Sequence, residues 1–328
     1  MSGPARRPEP PEGVTLLDEE AVAALVPERP ETGHKGTFGT LLAVCGSLDF
    51  VGAALLSGAA ALRAGAGLVV LAVPASLQPI VAGRVPELIT LGLPETAPFV
   101  VDAEAAAAVL AERRHTALLV GPGLRPDAST GALVTRLVGA ANGAAAPAVV
   151  DAEALNQLAQ DDAWWASVGR PLVVTPHPGE FERLDGAPVG ADDAERADRA
   201  RAAAERWGAV VVLKGARTMV AAPDGRVTMA PSANPALGTG GTGDVLAGTI
   251  GSLLAQGVAP YDAARLGVHL HATAGEHVRE RVGDAGLLAS DLLGELPRVR
   301  RHLARLAERE RPETRRFGFQ PRRPDDAA

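Results

Sequence analysis

Short apolar runs alternate with longer alanine-rich segments along most of the chain. The runs Leu41–Cys45, Leu68–Val73, Leu88–Leu91, Ala117–Val120, Ala148–Asp151, Leu172–Thr175, Val210–Leu213 and Met219–Ala222 are mostly continuous in their hydrophobicity. Continuous rather than alternating apolar runs are the pattern of strands covered on both faces. Between them, Ala53–Ala64, Ala103–Arg113, Ala128–Val138 and Asp192–Trp207 are long and alanine-rich enough for crossover helices. This grammar predicts an α/β fold: three α/β/α layers with a mostly parallel central sheet and helices on both faces. Pro223-Asp224-Gly225, between Val220 and Val227, carries hairpin turn chemistry and predicts an antiparallel edge there. Beyond Asp244 only helices are expected, over Val245–Gln256, Pro260–Val282 and Ser290–Ala307.

The ends break the pattern. Residues 1–12 are proline-rich and polar, and residues 307–328 are dominated by charge and proline, so both are expected to be loose tails. No repeat or linker divides residues 13–306, which are read as one domain.

Composition narrows the class. A length of 328 residues with 47% hydrophobic and only 3% aromatic content builds its apolar mass from Ala, Val and Leu, which suits α/β layers. Cys45 is the only cysteine and forms no internal disulfide, so a reducing cytoplasm is the expected location. A formal net charge of −7 argues against nucleic-acid and anionic-membrane partners. The N-terminus lacks the apolar core of a signal peptide, and the stretch from Leu41 to Pro74 is interrupted by Asp49, Arg63 and glycines, so no membrane span is expected. Lysine is rare: of 32 basic residues only Lys35 and Lys214 are lysines, which points to sites that need a compact ammonium, chance retention under a coding bias towards arginine being the alternative.

In open α/β sheets ligands sit beyond the carboxyl ends of the strands, so the loops that follow the apolar runs are where chemistry is expected. The most distinctive loop is Asn234-Pro-Ala-Leu-Gly-Thr-Gly-Gly-Thr-Gly-Asp244, which opens a helix. Amides of Gly240, Gly241, Thr242 and Gly243 at a helix N-terminus are candidates for an anion hole for a phosphoryl group, the alternative being a glycine-rich turn in which Asp244 merely favours the first helical turn. Asp244 stands where it takes a proton from a substrate hydroxyl or orients it. The segment from Gly238 to Gly243 also matches G-x-G-x-x-G, but no strand leads directly into it and Asp244 would face a pyrophosphate, so a dinucleotide site is rejected. Lys214, at the end of an apolar run, is placed to meet nucleotide phosphates or a neighbouring acid. Thr175-Pro-His177-Pro-Gly-Glu180 presents His177 and Glu180 in a loop stiffened by two prolines. Glu180 is a candidate to hold a metal-bound water and His177 to bind substrate; a plain helix start is the alternative. Asp151 ends another run, as a functional acid or a helix cap. Gly121-Pro-Gly123 permits close backbone approach to a ligand. His269, His271 and His277 lack metal-ligand spacing.

Together these motifs resemble the ADP- or ATP-dependent NAD(P)H-hydrate dehydratases, which have the ribokinase-like fold. The likeness runs from about His34 to Pro297 through HKGTFGTLLAVCGS, GAALLSGAAALRAGAGLV, VGPG, VVDAEALN, TPHPGEFERL, LKGARTMV, NPALGTGGTGDVLAG and LGVHLHATAGE, in that order. The resemblance implies repair of hydrated NADH or NADPH: ADP or ATP phosphorylates the ring hydroxyl and phosphate is then eliminated. It further implies that Ala53, Gly123, His177 and Asp244 bind the hydrated cofactor. Lys214, Gly215, Ala216, Arg217, Thr218 and Gly243 would bind the adenine nucleotide, with Mg2+ on its phosphates. It also implies a cytoplasmic homotetramer working beside a separate NAD(P)H-hydrate epimerase. The chain departs from the family's frequent Gly-Gly-Ser at Cys45-Gly46-Ser47, and from Gly-Pro-Gly-Leu-Gly at Arg125. Two other functions remain open on the residues alone. One is a small-molecule kinase of the same fold, acting on a hydroxymethylpyrimidine, hydroxyethylthiazole or sugar, against which His177 weighs; the other is a non-catalytic nucleotide-binding regulator, against which Asp244 weighs.

Overall fold

A computed structural model describes residues 8–139 and 146–310. Its strands are β1 (Val14–Leu16), β2 (Thr40–Val44), β3 (Leu68–Pro74), β4 (Ile89–Leu93), β5 (Glu95–Ala97), β6 (Val100–Val101), β7 (Ala117–Val120), β8 (Ala148–Val150), β9 (Leu172–Val174), β10 (Val210–Leu213), β11 (Met219–Ala221) and β12 (Val227–Met229). The helices are α1 (Glu19–Ala23), α2 (Val51–Ala64), α3 (Gln78–Val81), α4 (Ala103–Ala111), α5 (Ala128–Val138), α6 (Glu153–Leu158), α7 (Pro178–Asp185), α8 (Asp193–Trp207), α9 (Thr242–Ala255), α10 (Pro260–Val282) and α11 (Asp291–Glu310).

Ten strands form one sheet in the order β1-β12-β11-β10-β9-β8-β7-β2-β3-β4, and β5 pairs only with β6. From β10 to β4 every neighbouring pair is parallel; β11 alone runs against the rest. The two-layer cover follows from side-chain alternation along the strands. Leu41, Ala43, Leu119, Val149 and Val212 pack with α1, α2, α9, α10 and α11. Their sequence neighbours Leu42, Leu118, Val150 and Val211 pack with α4 to α8. Sealing each such Val or Leu contributes about 1.5–3 kcal/mol, which explains why the strands are apolar throughout.

Three features depart from the sequence expectation. The Asp224-Gly225 turn does join two antiparallel strands, yet β12 is not the edge, because β1 pairs with it in parallel through Val14–Val227 and Leu16–Met229. A small hairpin, β5–β6, follows β4, and Glu95 holds it by accepting from Ser76 N and from Phe99 N, both at 3.0 Å. Helix α11 continues to Glu310, past Leu306. The remaining tail residues, 1–7 and 311–328, lie outside the described residues.

Topology locates the cleft. From β2 the chain steps outward to β3 and β4, then returns to place β7 on the other side of β2. Strand order reverses between β2 and β7, which opens a crevice at their carboxyl ends. The N-termini of α2 and α9 reach this end side by side. They pack closely because position 248 carries no side chain: a Cβ on Gly248 would stand 2.1 Å from the Ser57 carbonyl oxygen.

Candidate active site

The crevice is lined by backbone. Gly46 N donates to Pro122 O at 2.8 Å, tying the loop after β2 to the loop after β7. Gly121 has φ +126°, and a Cβ there would meet the Asp151 carbonyl oxygen at 1.8 Å. A Cβ on Gly123 would stand 2.7 Å from Phe50 O and 2.8 Å from the Ala53 methyl, so Gly123 packs directly against Ala53 and the two form one continuous stretch of the crevice surface. Cys45 is sealed beneath, and burial first, then the charges of Asp244 and Asp151, push its thiol well up. It therefore stays protonated and unreactive.

Beside this surface the carboxyl ends of β8, β9 and β10 bring together an ionic cluster. Ala152 adopts φ 51°, ψ −125°, a strained conformation for a side-chain-bearing residue, and no side chain caps α6. The Asp151 carboxylate, buried at 2% exposure, instead accepts from Thr175 Oγ1 at 2.7 Å and from Lys214 Nζ at 2.8 Å. Lys214 Nζ also lies 3.6 Å from Glu180 Oε2. Burial lowers the affinity of Lys214 for its proton, but Asp151 and Glu180 outweigh it and the net shift is upward, so the ammonium is fixed. Arg196, a buried residue of α8, donates to the carbonyls of Leu213 and Lys214 at 3.3 and 3.1 Å and holds the end of β10 in place.

The glycine loop closes the site. Helix α9 starts at Thr242 after Gly241, whose φ of 91° turns the chain into the helix. Among the described residues the amides of Gly240, Gly241, Gly243 and Asp244 have no acceptor within the protein, while Thr242 N reaches Thr239 O only at 3.4 Å. These free donors and the positive end of a 14-residue helix make an anion cradle. Lys214 Nζ would lie 3.6 Å from a Cβ on Gly243, so cradle and ionic cluster adjoin. Asp244, in the first turn, is pushed up to about 7: burial and the charges of Asp151 and Glu180 raise it, against a smaller opposing effect of Lys214. A carboxyl group titrating near neutrality is suited to accept a proton.

A cavity of about 360 Å³ opens from the cradle and is lined by Lys214, Gly215, Ala216, Thr218, Gly243 and His271, among others. Five of the six residues expected at the nucleotide thus share one space. Arg217 lies outside it and pairs with Asp193 at 2.7 Å. His177, half exposed, caps α7: its Nδ1 accepts from Gly179 N at 3.0 Å and Glu180 N at 3.3 Å. Glu180 returns the bond, Oε2 accepting from His177 N at 2.7 Å. Much of the Pro-His-Pro-Gly-Glu signature is therefore a capping box. A larger cavity of about 620 Å³ lies elsewhere, between Pro27, the end of α2 and α11. It contains none of the expected site residues, and its Arg29 and Arg300 are engaged with the carbonyls of Gly65 and Pro27. The chemistry converges on the smaller cavity.

Among the described residues no group of three or more His, Cys, Asp or Glu is arranged to hold a metal ion. Asp151 and Glu180 nevertheless offer carboxylate oxygens beside the cradle. This fits Mg2+ carried in on nucleotide phosphates, with waters completing its shell, rather than a metal caged by the protein.

The family model for NAD(P)H-hydrate dehydratase matches residues 41–298. The chain belongs to the NAD(P)H-hydrate dehydratase family. It is 40% identical over 273 residues to an ADP-dependent (S)-NAD(P)H-hydrate dehydratase of Xanthomonas campestris, covering 83% of this chain and 92% of that one. It is 43% identical over 289 residues to a bifunctional NAD(P)H-hydrate repair enzyme of Moorella thermoacetica, covering 88% of this chain but 54% of the other. The chain thus spans about half the length of its bifunctional relatives. A crystal structure of the ADP/ATP-dependent NAD(P)H-hydrate dehydratase of Bacillus subtilis, grown with ATP and Mg2+, matches with a TM-score of 0.77 and 34% identity, covering 89% of this chain and 99% of that one. The expected ribokinase-like architecture is supported by a ribokinase-like superfamily protein of Enterococcus faecalis, which matches with a TM-score of 0.74 and 25% identity, covering 89% of this chain and 97% of that one.

Thr175 and Arg196 escaped the sequence reading. Thr175 lies within a motif that was singled out for its histidine, and Arg196 sits in a helix whose charges read as solvated surface.

Proposed function

We propose that the chain restores NADH or NADPH from the S-epimer of the hydrated cofactor, using ADP or ATP as phosphoryl donor. The observation that carries this reading is Asp244, a carboxyl group poised near neutrality on a cradle of free amides beside Lys214. The hydrated ring would lie on the surface formed where Ala53 and Gly123 meet, with His177 at its rim and its hydroxyl towards Asp244. The nucleotide would occupy the cavity running from Lys214 to Thr218, its terminal phosphate on Gly240, Gly241, Thr242 and Gly243.

In the first step the ring oxygen attacks the terminal phosphorus, the bond to the bridging oxygen breaks, and Asp244 accepts the hydroxyl proton. Amides fixed before the reaction stabilise the charge that develops on the phosphoryl oxygens. Lys214, held by Asp151 and Glu180, adds a positive charge that cannot swing away. Mg2+ on the phosphates would supply further charge neutralisation, with Glu180 or Asp151 as carboxylate partners through water. In the second step the ring C–O bond breaks, phosphate departs with the electron pair, and a proton leaves the adjacent ring carbon as the double bond forms. The net reaction is dehydration.

The same reading extends to a homotetramer in the cytoplasm, supported by family likeness, and among the described residues no helix is long and apolar enough to cross a membrane. An epimerase for the other hydrate isomer is the proposed partner activity, since relatives named bifunctional are about twice as long as the matched region. The test is to incubate the chain with hydrated NADH and ADP, then ATP, and follow the return of reduced-nicotinamide absorbance. At least about tenfold stimulation over a nucleotide-free blank is expected, equivalent to ~1.4 kcal/mol of barrier. No stimulation by either nucleotide overturns the proposal.

A further inference from the structure

His271 belongs to α10, retains only 8% of its surface and lines the cavity assigned above to the nucleotide. Its Nε2 stands 2.9 Å from the carbonyl oxygen of Thr242, at the start of α9. A carbonyl oxygen only accepts, so Nε2 carries the hydrogen. Burial, assisted by the charge of Lys214 and resisted by the bond to Thr242, holds the ring's pKa at about 4, and it is neutral at working pH. A neutral imidazole protonated at Nε2 has a bare lone pair on Nδ1. Among the described residues no hydrogen bond reaches Nδ1, and Nδ1 is not one of the unpaired side-chain nitrogens sealed from solvent, so it stays accessible in a residue that lines the cavity. The structure thus holds a fixed, unpaired acceptor on the wall of a ligand cavity.

The cavity itself says what kind of group this acceptor meets. Lys214, Thr242 and Gly243 form its phosphate end, and Leu237, Leu246 and Val268 supply apolar wall. A lone pair repels phosphate oxygens, so Nδ1 is unsuited to the phosphates. It suits a hydrogen-bond donor on the nucleoside part, a ribose hydroxyl or the exocyclic amine of adenine.

We propose that His271 Nδ1 accepts a hydrogen bond from the nucleoside part of the bound adenine nucleotide and so contributes to the choice of phosphoryl donor. This rests on the reading that the cavity takes such a nucleotide. Through Nε2 the same ring is bonded to the first residue of α9, so the group that reads the nucleoside also braces the helix end carrying the cradle and Asp244. A residue that only braced α9 would be indifferent to which donor the nucleoside carries, and this separates the two roles.

Calorimetric titration of the full chain with ADP, 2′-deoxy-ADP, 3′-deoxy-ADP and inosine diphosphate is the test, on wild type and on His271→Phe. The wild type is expected to bind one of the three analogues about 2- to 12-fold more weakly than ADP, the range for one neutral hydrogen bond. His271→Phe should weaken ADP by a similar factor and lose no further affinity for that analogue. Equal weakening of all four ligands in the variant overturns the proposal, as does a wild type that discriminates against none of the analogues. Should His271→Phe fail to fold, 15N NMR of the wild type decides: the Nδ1 resonance of His271 must move towards that of a hydrogen-bonded nitrogen when ADP is added, and an unmoved resonance overturns the proposal. Absence of any ADP binding by the wild type sinks the nucleotide reading as well, whereas ADP binding without discrimination sinks this inference alone.

Discussion

Replacing Asp244 with asparagine separates the chemical role of this residue from its cost to the fold. Its carboxyl is raised from 3.8 to about 7, chiefly by burial and by Asp151. At ~1.36 kcal/mol per unit this is a bias of roughly 4 kcal/mol towards the protonated form, an upper figure because partial solvent contact screens the interaction. A folded-state pKa above the unfolded one gives stability that is complete below about 3.8 and is lost as pH rises through about 7. The aspartate at 244 therefore costs the fold up to about 4 kcal/mol at pH 8, where the buried carboxylate is ionised, but only about 1.6 kcal/mol at pH 5, where the unfolded chain alone gains by ionising. Asparagine keeps the shape and removes the charge. Asp244→Asn should then melt higher than wild type, by several degrees at pH 8 at about 2 °C per kcal/mol, and by clearly less at pH 5. Circular dichroism melts at the two pH values are the assay. The same variant should bind ADP yet lose most turnover, since it removes a base and leaves the amides intact. A variant no more stable than wild type at pH 8 would refute the electrostatic account of Asp244.

Two further substitutions probe the supports of the site. Lys214→Met leaves the carboxylates of Asp151 and Glu180 without their cation, and breaking a buried pair costs about 3–5 kcal/mol; urea denaturation should show this loss, and part of it should return in the double variant with Asp151→Asn. Gly121→Ala places a methyl against the Asp151 carbonyl at a left-handed φ, so the Asp151 turn must shift. Destabilisation of about 1–3 kcal/mol is expected, with turnover falling further than ADP affinity, as steady-state kinetics and calorimetry on one preparation would read.

The sheet was legible because strands covered on both faces announce themselves as unbroken apolar runs, and all eight predicted runs became strands, although β11 runs antiparallel and the edge strand β4 is only partly covered. What escaped has no local signature. Val14–Leu16 is three residues among acidic neighbours, and it is a strand only because β12 offers it a parallel edge more than 200 residues away. The β5–β6 hairpin exists because Glu95 draws in Ser76 and Phe99, a bond pattern that depends on the fold around it. The site divides in the same way. Asp151, Lys214 and the glycine loop were visible because each stands at the end of an apolar run or the start of a helix, where position alone suggests chemistry. Thr175 and Arg196 act through neighbours that only the order β8-β9-β10 supplies. His271 was set aside with two other histidines because their spacing does not suit a metal. Spacing is silent on a neutral ring used as an acceptor.

The balance of charge explains how, on the proposed function, an acidic protein would accept a polyphosphate. Asp151, Glu180 and Asp244 with Lys214 leave the cluster negative, in a chain whose formal net charge is already −7. A phosphate approaching only those side chains would be repelled. The donors it meets are instead backbone amides and a helix end, whose partial charges cannot titrate and whose positions are set by the packing of α9 on α2. The three carboxylates then have separate uses. Asp151 and Glu180 anchor the lysine and, on the proposed function, would offer oxygens to Mg2+, and by their proximity they raise Asp244 to about 7. On this argument the acidity of the cluster is what makes Asp244 a usable base, and the amide cradle is what lets that acidity coexist with an anionic ligand.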